Sequence, residues 1–136
     1  MSSFKIDPDL CKTFNIALVY LFGSRVKGVA AVDSDLDIAL LFRETPQDPL
    51  ALREIALFSV ELRKLFHAKF DVVSLNNAPL LLKYEVVAHG QLLCCDDETE
   101  RINFEVPVIK EYIDEEPLRN LYNQALYKKI FNKVCE

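Results

Sequence analysis

The chain has 136 residues, a formal net charge of −5 and 51% hydrophobic residues, which fits one domain that can bury its own core. The acidic balance disfavours a long nucleic acid as main substrate, because such binding relies on Lys and Arg. No apolar run approaches the ~20 residues of a membrane span, and the polar start Met-Ser-Ser-Phe-Lys has no signal-peptide pattern. We therefore expect a cytoplasmic protein with no membrane contact.

The sequence of the first half of the chain predicts two strands with helical segments around them. A short helix is expected near 8–14, then a buried strand over 17–22. A brief helix should begin at Ser24 and end near Gly28, since glycine readily closes a helix. A second apolar strand is expected over 35–42.

A longer helix should follow, with Asp48 as N-cap and Pro49 in the first turn. The residues of its predicted sheet-facing side recur at helical spacing; they are Leu52, Ile55, Ala56, Ser59, Leu62 and Phe66. A third strand is expected over 70–75, a helix from about 76 to His89, and an edge strand over 91–95. The predicted class is α/β (α+β), a small mixed sheet of about three to five strands flanked by helices.

The remaining segment, about 97–136, is predicted to be a helical part of the single domain 1–136. The acidic run 96–100 suits a helix N-terminus, and Pro107 and Pro117 are expected to divide the helices that follow. From Pro117 onward an apolar side is formed by Leu118, Leu121, Tyr122, Ala125, Ile130 and Val134. We expect it to pack on the chain's own sheet; a docking surface for a partner is the alternative.

The cysteines predict no metal site. Cys11, Cys94, Cys95 and Cys135 lack Cys-x-x-Cys spacing, and an adjacent pair is poorly placed to bridge without strain. We expect reduced thiols, with Cys94 and Cys95 alternately facing the core and solvent in a strand.

The most informative motif is a Gly-Ser pair followed, after ten residues, by an Asp-x-Asp pair. Gly23-Ser24 ends the first apolar strand, at a turn whose N–H groups could hold phosphate. Asp35 and Asp37 begin the second strand, where alternation places both carboxylates on one face. Because Mg²⁺ takes one or two carboxylates plus substrate phosphates, the pattern predicts a nucleotide and magnesium site.

These residues resemble the signature of the polymerase-beta-like nucleotidyltransferase superfamily. The stretch Leu21-Phe-Gly-Ser-Arg-Val-Lys-Gly, followed by Ser34-Asp-Leu-Asp-Ile-Ala, is similar to the minimal nucleotidyltransferases. These are small prokaryotic proteins often paired with a HEPN-type ribonuclease toxin. The resemblance covers about residues 15–95 and implies a polymerase-beta-like nucleotidyltransferase fold.

The resemblance also implies roles for three carboxylates. Asp35 and Asp37 would coordinate two Mg²⁺ ions, and a third carboxylate from a later strand would bind the catalytic metal. Asp71 is the best candidate, because a bare charge buried in that strand would be costly. Asp33 is a weaker rival, and a water-exposed strand position is the alternative for Asp71.

The nucleotide-binding residues implied are Gly23, Ser24 and Arg25, with Lys27 as an alternative phosphate partner. Gly23 would allow close approach of the triphosphate of ATP, and Ser24 would offer its N–H and hydroxyl. His67 and His89 are interpreted as helix-end residues rather than general bases.

The leading hypothesis from the resemblance is an antitoxin that transfers AMP from ATP to a tyrosine of a cognate HEPN toxin, and so neutralises it. An acidic chain would complement a basic RNA-cutting partner, in a complex of the two. One alternative is transfer to a small molecule such as an aminoglycoside. Another is a non-catalytic antitoxin that acts by binding alone.

Overall fold

The structure is a computed structural model that describes residues 5–23, 36–48 and 51–135, with side chains to residue 132. The elements in chain order are α1 (Pro8–Thr13), β1 (Ile16–Phe22), β2 (Leu36–Phe42), α2 (Leu52–Phe66), β3 (Phe70–Ser74), α3 (Leu80–His89), β4 (Gln91–Cys95), α4 (Glu98–Asp114) and α5 (Glu116–Cys135). The brief helix predicted from Ser24 lies outside the described residues.

The strands form one mixed sheet in the order β3-β2-β1-β4. β1 pairs antiparallel with both β2 and β4, whereas β2 and β3 run parallel. This confirms the predicted fold class, including β4 as an edge strand. None of the helices in the described ranges is long and apolar enough to cross a membrane.

Helices cover both faces of the sheet, because the strands carry apolar side chains on both sides. One core contains Ile38, Leu40 and Phe58 and lies under α1 and α2. The other contains Leu18, Ala39 and Val86 and lies under α3 and α4. Cys94 belongs to the first core and Cys95 packs against the second; both thiols are free.

Helix α2 begins later and faces the sheet differently than predicted. Ala51 occupies the N-cap position with a left-handed backbone, φ 50°, while the Asp48 side chain accepts the Leu52 N–H at 3.1 Å. The expected contacts of Leu52 and Ala56 are wrong, since both are exposed. The buried residues of the helix are Phe58 and Leu62, so its inner face is rotated toward Phe58.

The prediction that Pro107 ends a helix is also wrong. Pro107 lies inside α4, which runs on to Asp114 and has Glu115 as its C-cap. A proline removes one helical N–H donor, but packing of Phe104 and Val108 against the molecule holds the helix together on both sides. The acidic run does begin a helix, because Asp97 accepts the Thr99 N–H at 2.9 Å and so caps α4.

Polar contacts also fix α4 on the sheet. The Tyr20 hydroxyl of β1 donates to Glu105 Oε2 at 2.6 Å, and burial together with this carboxylate raises the pKa of Tyr20. Arg101 binds the other oxygen of Glu105 at 2.8 Å. Near the start of α4, Arg43 pairs with Glu100 at 2.8 Å.

Helix α5 does not pack on the sheet, so that expectation is wrong. Over residues 116–132, only Arg119 is partly covered, and the apolar side chains are exposed. At the joint, the Arg119 guanidinium lies 3.5 Å from the centre of the Tyr112 ring and donates to the Tyr112 carbonyl at 2.6 Å. On its other side, Tyr112 stacks on Tyr84 of α3, with ring centres 3.6 Å apart.

We predict that Tyr20→Phe lowers the free energy of unfolding by about 1 kcal/mol, because a hydrogen bond to a carboxylate is lost from a covered site. Urea unfolding followed by circular dichroism measures the change. Tyr127→Phe is the control, since Tyr127 is 70% exposed. Equal stability of the two variants would show that the Tyr20 bond contributes nothing.

Candidate active site

Two carboxylates meet where β2 and β3 begin. In the parallel pairing of these strands, Asp37 is the direct partner of Asp71. Neighbouring strands lie about 4.8 Å apart, and partners in a parallel pair present their side chains on the same face. The two negative groups are therefore neighbours, although 33 intervening residues separate them in the sequence.

Both carboxylates lie on the face covered by α3 and α4. The strand neighbours of Asp37, Leu36 and Ile38, point to the opposite face and belong to the core under α1 and α2. The strand neighbours of Asp71, Phe70 and Val72, belong to that same core. Asp37 is half-buried and Asp71 is exposed. The expectation that Asp71 is a buried charge is therefore wrong; its place beside Asp37 is what keeps it a candidate site residue.

Gly23 provides the room that the Asp37 carboxylate needs. It follows Phe22, which pairs with Asp37 across β1 and β2, and its φ of +92° is one that other residues rarely adopt. A Cβ on Gly23 would overlap Asp37 Oδ2 and lie 3.1 Å from Asp37 Cγ. Only glycine therefore fits this turn without moving the carboxylate.

An opening of about 240 Å³ adjoins the turn. Its lining residues come from the end of β1 and from α3: Phe22, Gly23, Leu82, Glu85 and His89. Glu85 and His89 are spaced one helical turn apart and are both exposed. Helix α3 thus forms a wall beside the glycine that accommodates Asp37.

Sequence reasoning missed this wall. The two histidines do lie at helix ends, with His67 the C-cap of α2 and His89 the last residue of α3. Gly90 then turns the chain directly into β4, whose Gln91 pairs with Leu21 of β1. That immediate return of α3 to the sheet was the available signal that His89 lies near the end of β1.

The remaining predicted site residues lie outside the described ranges. These are Ser24 and Arg25 for the nucleotide, Asp35 for metal, and the alternatives Lys27, Asp33 and Ser34. The described part of the chain contains no cluster of three possible metal-binding side chains. It does contain the Asp37 and Asp71 pair, beside the space left by Gly23. The carboxylates of this pair are oxygen donors, which suit Mg²⁺.

A mixed sheet with a glycine turn after its first strand and carboxylates on the next two strands defines a nucleotidyltransferase site. The profile of the family "Polymerase beta, Nucleotidyltransferase" matches residues 5–99. The chain belongs to this nucleotidyltransferase family, and the predicted resemblance is confirmed.

Two curated relatives are similar to the chain, and both are described as protein adenylyltransferase MntA. The relative from Shewanella oneidensis is 33% identical over 97 residues, which is 71% of this chain and 66% of that protein. The chain thus spans just under two thirds of its length. The relative from Aphanizomenon flos-aquae is 29% identical over 125 residues, or 84% of this chain and 83% of that protein.

Solved structures show the same fold. A crystal structure of a toxin–antitoxin with AMP-PNP is 25% identical, with a TM-score of 0.60 and 94% of each chain covered. Another structure holds a tri-AMPylated Shewanella oneidensis HEPN toxin in complex with an MNT antitoxin. Its matching chain is 24% identical, with a TM-score of 0.56, 94% of this chain and 92% of that chain covered, a likeness of fold.

We predict that Gly23→Ala destabilises the chain by about 1–3 kcal/mol, because the positive φ is strained and the new methyl group overlaps Asp37. Thermal unfolding measures the loss. The double variant Gly23→Ala/Asp37→Ala tests the overlap, since removing the carboxylate should restore part of the stability beyond what the two single variants predict. Strict additivity of the two changes would contradict the proposed contact.

Proposed function

We propose that this chain is a Mg²⁺-dependent protein adenylyltransferase that moves AMP from ATP to a tyrosine of a cognate HEPN-type ribonuclease toxin and so neutralises it. The observation that carries the proposal is the paired register of Asp37 and Asp71 beside Gly23. The relatives described as protein adenylyltransferases supply the acceptor class.

The reaction needs positioning and charge stabilisation more than covalent chemistry. The acceptor oxygen bonds to the α-phosphorus of ATP, the bond to the β-phosphate oxygen breaks, and pyrophosphate leaves. We assign the acceptor proton to Asp71, which is exposed and therefore reachable from outside the sheet. Asp37 and Asp35 would act on the polyphosphate by holding the Mg²⁺ that it binds.

Metal binding would offset the repulsion between the two carboxylates, since like charges on neighbouring strands repel each other. Asp37, Asp71 and Asp35 are the residues that would hold two Mg²⁺ ions. Bound there, the ions would neutralise charge on the attacking and leaving oxygens. Gly23, Ser24 and Arg25 would bind the phosphates of ATP.

The open surroundings of the pair favour a protein acceptor. Asp71 lies on an edge strand and is exposed, and among the described residues the opening beside Gly23 is lined by the end of β1 and by α3. A tyrosine presented by another protein can therefore reach Asp71 from outside the sheet. We also propose that residues 1–136 act as one nucleotidyltransferase domain, with the helical segment 97–136, and that it works in the cytoplasm, where ATP is available.

We predict that Asp37→Ala and Asp71→Ala each reduce AMP transfer at least about a hundredfold, because each removes a carboxylate that would hold the Mg²⁺ ions at the reacting phosphate. The assay incubates the chain with labelled ATP, Mg²⁺ and the HEPN protein encoded beside it, and follows label on tyrosine by mass spectrometry. Asp9→Ala is the control, since Asp9 is an exposed residue of α1. EDTA should abolish transfer by the unmodified chain, and added Mg²⁺ should restore it.

The same experiment separates the alternatives. Label on aminoglycosides but never on the HEPN protein would support small-molecule transfer. A toxin that is inhibited by Asp37→Ala/Asp71→Ala, with no label transferred by any chain, would support neutralisation by binding alone. Full transfer by both carboxylate variants would overturn the assignment of the site.

A further inference from the structure

The opening beside Gly23 has walls that the proposed transfer reaction does not yet use. Its described lining comes from the end of β1, with Phe22 and Gly23, and from α3, with Leu82, Glu85 and His89. Spacings of three and four residues place these three side chains on the same side of the helix. The opening therefore combines two apolar side chains with one carboxylate and one imidazole.

The opening lies on the nucleotide side of the carboxylate pair. The strand order is β3-β2-β1-β4, so Asp71 of β3 and Gly23 at the end of β1 lie on opposite sides of Asp37 of β2. The proposed mechanism places the acceptor oxygen at Asp71 and the phosphates of ATP at Gly23. A nucleotide that is held at Gly23 thus has the opening directly beside it.

The chemistry of the lining favours a nucleobase over a phosphate. The carboxylate of Glu85 repels a triphosphate, and the apolar side chains of Phe22 and Leu82 offer it no hydrogen bond. A base is uncharged and flat, so it can bury its face against such side chains. The volume of about 240 Å³ is below the range of about 300–1,000 Å³ that holds drug-sized ligands, and it suits one ring system rather than a whole nucleotide.

Glu85 is the group in this lining that can recognise a base. Its side chain is exposed, and no hydrogen bond or ion pair joins it to another residue in the described ranges. An ionised carboxylate only accepts hydrogen bonds, so its partner must be a donor. The exocyclic donor of adenine is its 6-amino group, and a hydrogen bond from this group to a carboxylate is stronger than one between neutral groups.

We propose that the opening is the subsite for the adenine ring of ATP and that Glu85 accepts a hydrogen bond from the 6-amino group. The inference rests on the proposed function, which makes ATP the donor nucleotide, and it adds the residue that selects the base. His89, one helical turn further along α3, offers a flat ring beside the same space, on which the base can stack. Glu85 is thus a specificity-determining residue.

Equilibrium binding of two triphosphates tests this assignment without the toxin. Calorimetry in the presence of Mg²⁺ compares ATP with purine riboside 5′-triphosphate, which is ATP without the 6-amino group. The unmodified chain should bind ATP about tenfold more tightly, as expected for one hydrogen bond to a charged group. Glu85→Ala should bind the two triphosphates with equal affinity, and circular dichroism checks that it is folded.

The ratio of the two affinities separates the hydrogen bond from the effect of charge. Loss of the Glu85 carboxylate strengthens the binding of both triphosphates by removing a negative charge, and this effect cancels in the ratio. Glu85→Gln keeps an acceptor oxygen without the charge, so it should retain part of the preference for ATP. Glu111→Ala is the matched control, since Glu111 is an exposed helical glutamate of α4, and it should leave both affinities unchanged.

Different outcomes would overturn different assignments. A preference for ATP that is absent from the unmodified chain, or that survives in Glu85→Ala, would overturn the adenine subsite. A Glu85→Ala chain that keeps this preference but transfers less label to the HEPN protein would assign the opening to the acceptor tyrosine instead. Failure of the unmodified chain to bind either triphosphate would overturn the proposed function itself, and this inference with it.

Discussion

The parallel register of β2 with β3 is the constraint on which the candidate site depends. It places Asp37 beside Asp71, and the antiparallel register of β1 with β2 places Phe22 beside Asp37. Gly23 then falls where its missing side chain leaves space for a carboxylate oxygen. Three segments that are distant in sequence thus meet through two strand pairings, and a slip of one residue would send a carboxylate to the opposite face.

Local patterns predicted most of the elements, because strand alternation, glycine turns and acidic helix starts are encoded by neighbouring residues. The Gly23 turn and the carboxylate at Asp37 followed from spacing alone. Burial and exposure of Asp71 were both compatible with the sequence, because the choice between them depends on β3 being an edge strand. The wall formed by Leu82, Glu85 and His89 also depends on tertiary structure, because it is made by a helix that returns to the sheet.

In the C-terminal helices, packing overrides the tendency of a proline to end a helix. Proline usually ends a helix, but Pro107 lies between Phe104 and Val108, two residues held by the core, and α4 continues through it. The opposite happened in α5, where an apolar composition suggested burial that the described structure does not provide. An apolar composition does not show whether the same chain covers a helix, because that depends on which elements the fold places beside it.

The joint between α4 and α5 is linked to the candidate site by a series of side-chain contacts. Arg119, Tyr112 and Tyr84 form a stack of three flat groups contributed by α5, α4 and α3. Tyr84 makes an edge contact with His89, with ring centres 6.3 Å apart, and His89 lines the opening beside Gly23. A rotation of α5 must therefore either break the contact between the guanidinium and the ring or displace Tyr112, and a displaced Tyr112 would remove the support on which Tyr84 and the end of α3 rest.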